Sequence, residues 1–164
     1  MTQPTTIISP LKNKTTAILL TGFVAGLLDI TAACIQAYIK HGIVPEKILR
    51  YVARGVFGKE AATGGTVMAA WGLLFHFMIA YGLTIFYFWL YPKIGWLGKN
   101  KIIAGLLYGI FAWLITNLVI VPLSAIGGPG HIVFAKIIVP VLILMFCIGL
   151  PISLMTNKHY LYKK

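Results

Sequence analysis

Two side chains that can exchange protons lie within apolar stretches long enough to cross a lipid bilayer. Asp29 falls near the middle of the run 15–39, and His76 lies inside the run 66–91. An ionised carboxylate at the centre of a membrane costs roughly 2.5–3.5 kcal/mol, so such a residue normally faces a bundle interior and has a partner. A carboxylate can stabilise a neighbouring imidazolium ring and set its tautomer. The two residues therefore indicate a buried polar pair or a proton relay.

Depth and facing predict that these two residues meet. At 1.5 Å per residue, Asp29 and His76 each lie about 15 Å from the same membrane boundary, near the midplane. Their helix faces also carry Gly22 and Gly26 in the first run and Gly72 in the second. Small residues allow membrane helices to approach closely, so these faces should be in contact. A purely structural hydrogen bond there would be worth about 0.6 kcal/mol.

A second, shallower polar layer is predicted nearer the same boundary. Asn117 and Lys136 each lie about 7 Å inside it, on the third and fourth runs. Gln36 shares the Asp29 face of the first run. These residues could line an outer vestibule, although a lysine at this depth can instead extend toward lipid headgroups.

The elements that position these side chains are membrane helices. Of the 164 residues, 59% are hydrophobic and 10% are charged, and the mean hydropathy is +0.90, which excludes an ordinary soluble domain. We predict an all-α membrane protein of four transmembrane helices in one domain, 15–157. Its spans are 15–39, 66–91, 102–121 and 132–154, between a flexible tail, 1–14, and a basic tail, 158–164. Gly105 and Gly109 form a GxxxG pattern on the third span, which indicates packing within the chain or between copies.

The segment between the first two spans has an amphipathic pattern. In 45–57, apolar residues recur at helical spacing, while Lys47, Arg50 and Arg54 take the opposite side. This predicts an interfacial helix whose cations contact anionic lipid headgroups. The net charge of +11 is spread around the spans, so the expected partner is the bilayer and not nucleic acid. Lys and Arg favour the side shared by both termini, which predicts that both are cytoplasmic.

Metal, cofactor and enzymatic chemistry are not expected. His41, His131 and His159 lie at or beyond the ends of the spans, so they do not form a cluster of ligands at one depth. Cys34 and Cys147 are separated by about 15 Å in depth, too far for a disulfide. The sequence contains no nucleotide-binding loop, GxSxG elbow or HExxH helix. A lipid-modifying enzyme would need a nucleophile at headgroup level, and we identify none.

The features between residues 76 and 123 follow a particular order. His76 begins an aromatic-rich helix that ends in Tyr91-Pro92-Lys93-Ile94, Ala104-Gly105-Leu106 opens the third span, and Pro122-Leu123 closes it. This order resembles the YagU family of small bacterial inner-membrane proteins. The resemblance implies a location in the bacterial inner membrane. It implies no reaction, because the family has no well-established biochemical activity.

Two functions fit these observations. The preferred hypothesis is a non-enzymatic accessory subunit or stress-related membrane factor, alone, as a homo-oligomer or in a larger complex, with Asp29 and His76 as a structural pair. In that case Asp29→Asn should lower stability or assembly without abolishing any flux. The alternative is a proton-coupled channel or transporter in which Asp29 and His76 relay protons and Asn117 and Lys136 form the outer vestibule. That function requires a water-accessible path to the pair.

Overall fold

The computed structural model describes residues 10–127 and 134–162. Within these ranges the chain is helical, without strands, and four helices are long and apolar enough to cross a membrane. They are Lys14–His41, Gly65–Lys93, Lys101–Leu123 and Ile137–Leu161. The predicted all-α architecture with four candidate spans is therefore confirmed, and the chain is a multi-pass membrane protein.

Eight helices in the described ranges build these spans and their connections. They are α1 (Lys14–His41), α2 (Pro45–Phe57), α3 (Gly65–Leu90), α4 (Gly95–Lys99), α5 (Lys101–Ile115), α6 (Val121–Leu123), α7 (Phe134–Ile143) and α8 (Leu150–Leu161). Two π-helical turns, Thr116–Ile120 and Leu144–Gly149, join α5 to α6 and α7 to α8. The third and fourth spans are thus continuous helices, each with one wide turn.

Local sequence explains where the first two helices begin and end. The Asn13 side chain accepts a hydrogen bond from the Thr15 amide at 2.9 Å and caps the start of α1. Gly42 ends α1 in a left-handed conformation with φ of 63°, which glycine adopts without steric cost. Pro45 then opens α2, because a first-turn residue needs no amide hydrogen.

Both predicted tails are partly structured. Pro10–Lys12 forms a 3-10 turn, and Leu11 is buried in a cluster with Ala17 and Phe88. At the other end, α8 continues to Leu161, into the predicted basic tail 158–164. The helix extends because His159 is fully buried, with its ring beside Phe88. Apolar packing on α3 therefore stabilises residues at both ends of the chain.

Glycines set the closest helix contacts. A Cβ added to Gly22 would collide with the Tyr81 ring of α3, and one on Gly26 would lie 2.8 Å from the Phe77 ring. On α5, a Cβ on Gly109 would collide with the Met145 backbone of the fourth span. Gly105 likewise meets the fourth span, where its added Cβ would lie 3.0 Å from a carbonyl oxygen. The Gly22/Gly26 face of α1 and the Gly105/Gly109 face of α5 are thus both in contact with helices of the same chain.

Buried hydrogen bonds hold together the half of the bundle that contains the start of α1 and the end of α8, which we call the terminal half. The Tyr108 hydroxyl donates to the Leu83 carbonyl at 2.6 Å. The Tyr87 hydroxyl donates to Ser153 Oγ at 2.8 Å, and Ser153 donates to the Lys101 carbonyl at 2.7 Å. These contacts join three helices, α3, α5 and α8, so this half is densely packed. The opposite half, where α1 ends and α3 begins, is the loop half.

Candidate functional site

A cavity of about 420 Å³ lies in the loop half of the bundle. Most of its lining is aliphatic and aromatic. Its polar lining consists of Asp29, Tyr51, His76, Thr116, Asn117 and Ser124. A concave, largely apolar space with a few convergent polar groups is typical of small-molecule binding sites.

Asp29 brings a carboxylate to this cavity from the middle of α1. Its Oδ1 atom is buried and accepts no hydrogen bond from the part of the chain that the structure describes. Burial of a carboxylate oxygen without a donor is costly, and the cost is largest for the ionised form. Asp29 is therefore placed to take up a proton or to bind a group that supplies a donor or a positive charge.

His76 reaches α1 through the backbone of Gly26. Its Nε2 atom lies 2.9 Å from the Gly26 carbonyl oxygen. A carbonyl oxygen only accepts hydrogen bonds, so Nε2 carries the hydrogen and the neutral ring presents Nδ1 as an acceptor. This bond links α3 to α1 at the cavity wall. The missing side chain of Gly26 permits the close approach that it requires.

The predicted pair differs from the observed contact in one respect. Asp29 and His76 line the same cavity, but no hydrogen bond or ion pair joins their side chains among the residues that the structure describes. The Gly26 backbone takes the ring hydrogen that the hypothesis assigned to the carboxylate. The two groups are therefore neighbours around a space.

The structure does not bring all residues of the predicted second layer to the cavity. Asn117 lines the cavity, and its Nδ2 atom donates to the Trp113 carbonyl at 3.0 Å. Gln36 is half-buried on α1 and does not belong to the cavity lining. The side chain of Lys136 lies outside the described part of the chain. Asn117 is thus the member of this layer that the structure places with Asp29 and His76.

Both π-helical turns face the cavity. Thr116, Asn117 and Ile120 line it from the first turn, and Leu144 and Ile148 line it from the second. A π-helical turn widens a helix and redirects its side chains, and such turns are frequent at functional sites. The widening occurs where the third and fourth spans border the cavity.

The amphipathic helix α2 covers the cavity. It lies against α3 at Gly72, where an added Cβ would collide with the Leu49 carbonyl of α2. Phe57, eight residues after Leu49, contacts the Trp71 and Phe75 rings at 5.9 Å between centroids. Leu49 and Phe57 of α2 therefore meet the same stretch of α3, residues 71–75. Gly72 thus packs against α2, not against α1 as its helix face predicted.

The apolar face of α2 borders the cavity, and the end of the helix is tied to the third span. Tyr51, Val52, Gly55 and Val56 line the cavity. The Ala125 amide donates to the Gly55 carbonyl at 2.9 Å. The predicted apolar stripe of this segment is therefore used, at least in part, to cover an internal space.

The cavity ends within the bundle. At its inner end it reaches Leu83 and Ile148, which also belong to the buried core of the terminal half. At its outer end it reaches Ser124 and Ile126, which follow the third span. The space therefore extends from the middle of the bundle toward one side of the membrane.

Comparison of this chain with protein-family models, curated proteins and solved structures finds no match. The resemblance to the YagU family stays a prediction. Within the described residues, no group of three or more His, Cys, Asp and Glu side chains could hold a metal ion, and Cys34 and Cys147 are free thiols.

Sequence reasoning missed two sets of polar residues. Tyr51 and Ser124 lie outside the predicted spans, and no periodicity assigned them to the cavity. In the terminal half, Ser153 and His159 are fully buried, and His159 Nδ1 lies 2.5 Å from the Leu11 carbonyl oxygen. Ser153 follows Gly149 by one helical turn, and this small-residue spacing could have identified the buried face of the fourth span.

Proposed function

We propose that this protein is a proton-coupled membrane transporter in which Asp29 takes up a proton or a solute within the cavity. Two observations carry the proposal: Asp29 lines the 420 Å³ cavity, and its buried Oδ1 atom has no hydrogen-bond donor among the described residues. A carboxylate that served only to join helices would be expected to accept a hydrogen bond. An unpartnered one fits a group whose partner arrives with the transported species.

The one-sided shape of the cavity supports a carrier rather than a channel. The space begins beside Ser124 and ends at Leu83, whose carbonyl accepts the Tyr108 hydroxyl in the packed terminal half. A carrier exposes its central site to one side at a time, whereas a channel needs a continuous path. Opening of the terminal half would require the hydrogen bonds of Tyr108 and Tyr87 to break.

The polar residues have separate roles in this proposal. Asp29 binds the proton, carries it across the membrane when no solute is present, and loses it when a solute is bound. His76 keeps α1 and α3 in register through Gly26 and offers Nδ1 as a second proton acceptor. The Asn117 side chain donates a hydrogen from Nδ2 to the Trp113 carbonyl of the same span, so its Oδ1 atom is available to a solute or a water molecule.

The membrane setting is also part of the proposal. We place α2 at the bilayer interface, where Lys47, Arg50 and Arg54 would contact anionic headgroups. With cytoplasmic termini in a bacterial inner membrane, the loop half and its cavity would face away from the cytoplasm.

The accessory-subunit hypothesis stays a prediction, together with assembly into a homo-oligomer or a larger complex. It requires Asp29 to stabilise the bundle, and the transport proposal does not. The two hypotheses therefore differ in the expected effect of removing the Asp29 charge.

A liposome assay tests the proposal. Purified protein is reconstituted with a pH-sensitive dye inside the vesicles, and proton uptake is driven by a potassium diffusion potential set with valinomycin. We expect uptake above that of empty vesicles, lost in Asp29→Asn and retained in Glu60→Gln, which removes an exposed carboxylate outside the spans. Equal uptake in wild type and Asp29→Asn would contradict a role for Asp29 in proton transfer.

A further inference from the structure

A second, membrane-facing space adjoins the cavity. It is an apolar groove between α3 and the third span, lined by Ile79, Gly82, Leu83, Phe86, Phe111, Ile115 and Ile120. Ile79, Leu83 and Ile120 also line the cavity. These three side chains therefore stand between the two spaces, and a ligand that occupied both would have to pass among them.

The groove has the dimensions and chemistry of a site for a hydrocarbon tail. From Ile79 to Phe86 it follows α3 for about 10 Å. Its lining residues are all apolar, and Gly82 and Phe86 are exposed on the lipid-facing side of the bundle. An added Cβ on Gly82 would meet no atom within 4 Å, so the glycine leaves open space in the groove.

The cavity has the chemistry of a site for a cationic head. The carboxylate of Asp29 lines it, and no Lys or Arg is among its lining residues in the described part of the chain. Tyr51, Phe75 and Trp113 supply aromatic rings, whose faces attract cations. A positive group near Asp29 would offset the cost of the buried carboxylate charge.

We infer that the transported solute is a monovalent amphiphilic cation, with its ammonium head in the cavity near Asp29 and its alkyl tail in the groove. This inference rests on the proposed transport function for the role of the ligand as substrate. The binding site itself can be tested without transport. Protonation of Asp29 would remove the charge that holds the head, so proton uptake and cation release would be coupled.

Equilibrium dialysis against lipid nanodiscs provides the test. The probe is radiolabelled decyltrimethylammonium, with decanesulfonate as the anionic probe, tetramethylammonium as the head without a tail, and empty nanodiscs subtracted. We expect saturable binding of decyltrimethylammonium and none of decanesulfonate. Asp29→Asn should weaken binding by about tenfold or more, the loss expected when a charged partner is removed.

Gly82→Leu tests the groove. The leucine should fill the groove without a clash, so it should weaken decyltrimethylammonium binding by about tenfold and leave any tetramethylammonium binding unchanged. The matched control is Met78→Leu, because Met78 is exposed on α3 and lines neither space. Equal binding of decyltrimethylammonium and decanesulfonate would refute the proposed site for a cationic head. Decyltrimethylammonium binding that survives Asp29→Asn would refute it as well. Undiminished binding in Gly82→Leu would overturn the tail site.

The inference and the transport proposal fail separately. Proton flux that depends on Asp29, without decyltrimethylammonium binding, would refute the inference and leave the transporter intact. Asp29-dependent binding without proton flux or solute uptake would support the site and refute transport.

Discussion

The replacement Asp29→Asn distinguishes a structural carboxylate from a transporting one by the sign of its effect on stability. Asparagine has nearly the same shape, so packing around α1 should be preserved. The Oδ1 atom of Asp29 accepts no hydrogen bond from the described residues, and the replacement therefore removes none of their bonds there. It does remove a charge whose cost at the centre of a bilayer is roughly 2.5–3.5 kcal/mol. Because the cavity relieves part of that cost, we expect the free energy of unfolding to stay constant or rise by up to about 3 kcal/mol.

The assay is equilibrium unfolding in bicelles, with proton flux measured on the same preparation. Glu60→Gln is the control, since an exposed residue outside the spans should change stability by less than about 0.5 kcal/mol. A structural role predicts the opposite pattern, a loss of about 0.6 kcal/mol or more with unchanged flux. That result would refute the reasoning and restore the accessory-subunit hypothesis.

Four further replacements test the packing of the bundle around the cavity. Gly109→Leu should lower the free energy of unfolding by about 1–3 kcal/mol or more, because its side chain would meet the Met145 backbone, whereas Gly82→Ala should raise it by up to about 1 kcal/mol. Equal changes in the free energy of unfolding for Gly109→Leu and Gly82→Ala, measured in bicelles, would contradict the assigned helix contacts. Tyr108→Phe removes one buried donor and should cost about 0.6 kcal/mol by the same method, while no loss would show that the terminal half does not depend on that bond. Gly72→Leu should displace α2 and increase amide hydrogen exchange in 45–57 at least about tenfold, and unchanged exchange would show that α2 does not rely on this contact.

Composition and periodicity predicted the architecture well because membrane spans impose a strong, local requirement. About 20 apolar residues must occur together, and each of the four predicted spans overlaps an observed one. The residues just before the first span and at the end of the fourth span were less predictable. Leu11 and His159 are buried by contacts with α3, and such long-range packing leaves little trace in the local pattern of hydrophobicity.

The candidate site was partly predictable for a similar reason. Asp29, His76 and Asn117 are polar residues in apolar runs, and depth and facing paired Asp29 with His76 but assigned Asn117 to a separate, shallower layer. Their contacts depended on features that no single helix pattern contains. The His76 bond to Gly26 follows from close backbone approach, and the position of α2 follows from its contacts with residues 71–75 of α3.

The central claim is that the cavity around Asp29 is open to water on one side only. Thiol accessibility tests it most directly, with Asn117→Cys and Ser153→Cys in a background where Cys34 and Cys147 are alanine. Sealed vesicles of each variant are treated with a membrane-impermeant maleimide on either side. We predict that Asn117→Cys reacts only from the side of the loop half and that Ser153→Cys, in the packed terminal half, reacts from neither. An unreactive Asn117→Cys, or labelling of that residue from both sides, would contradict the claim.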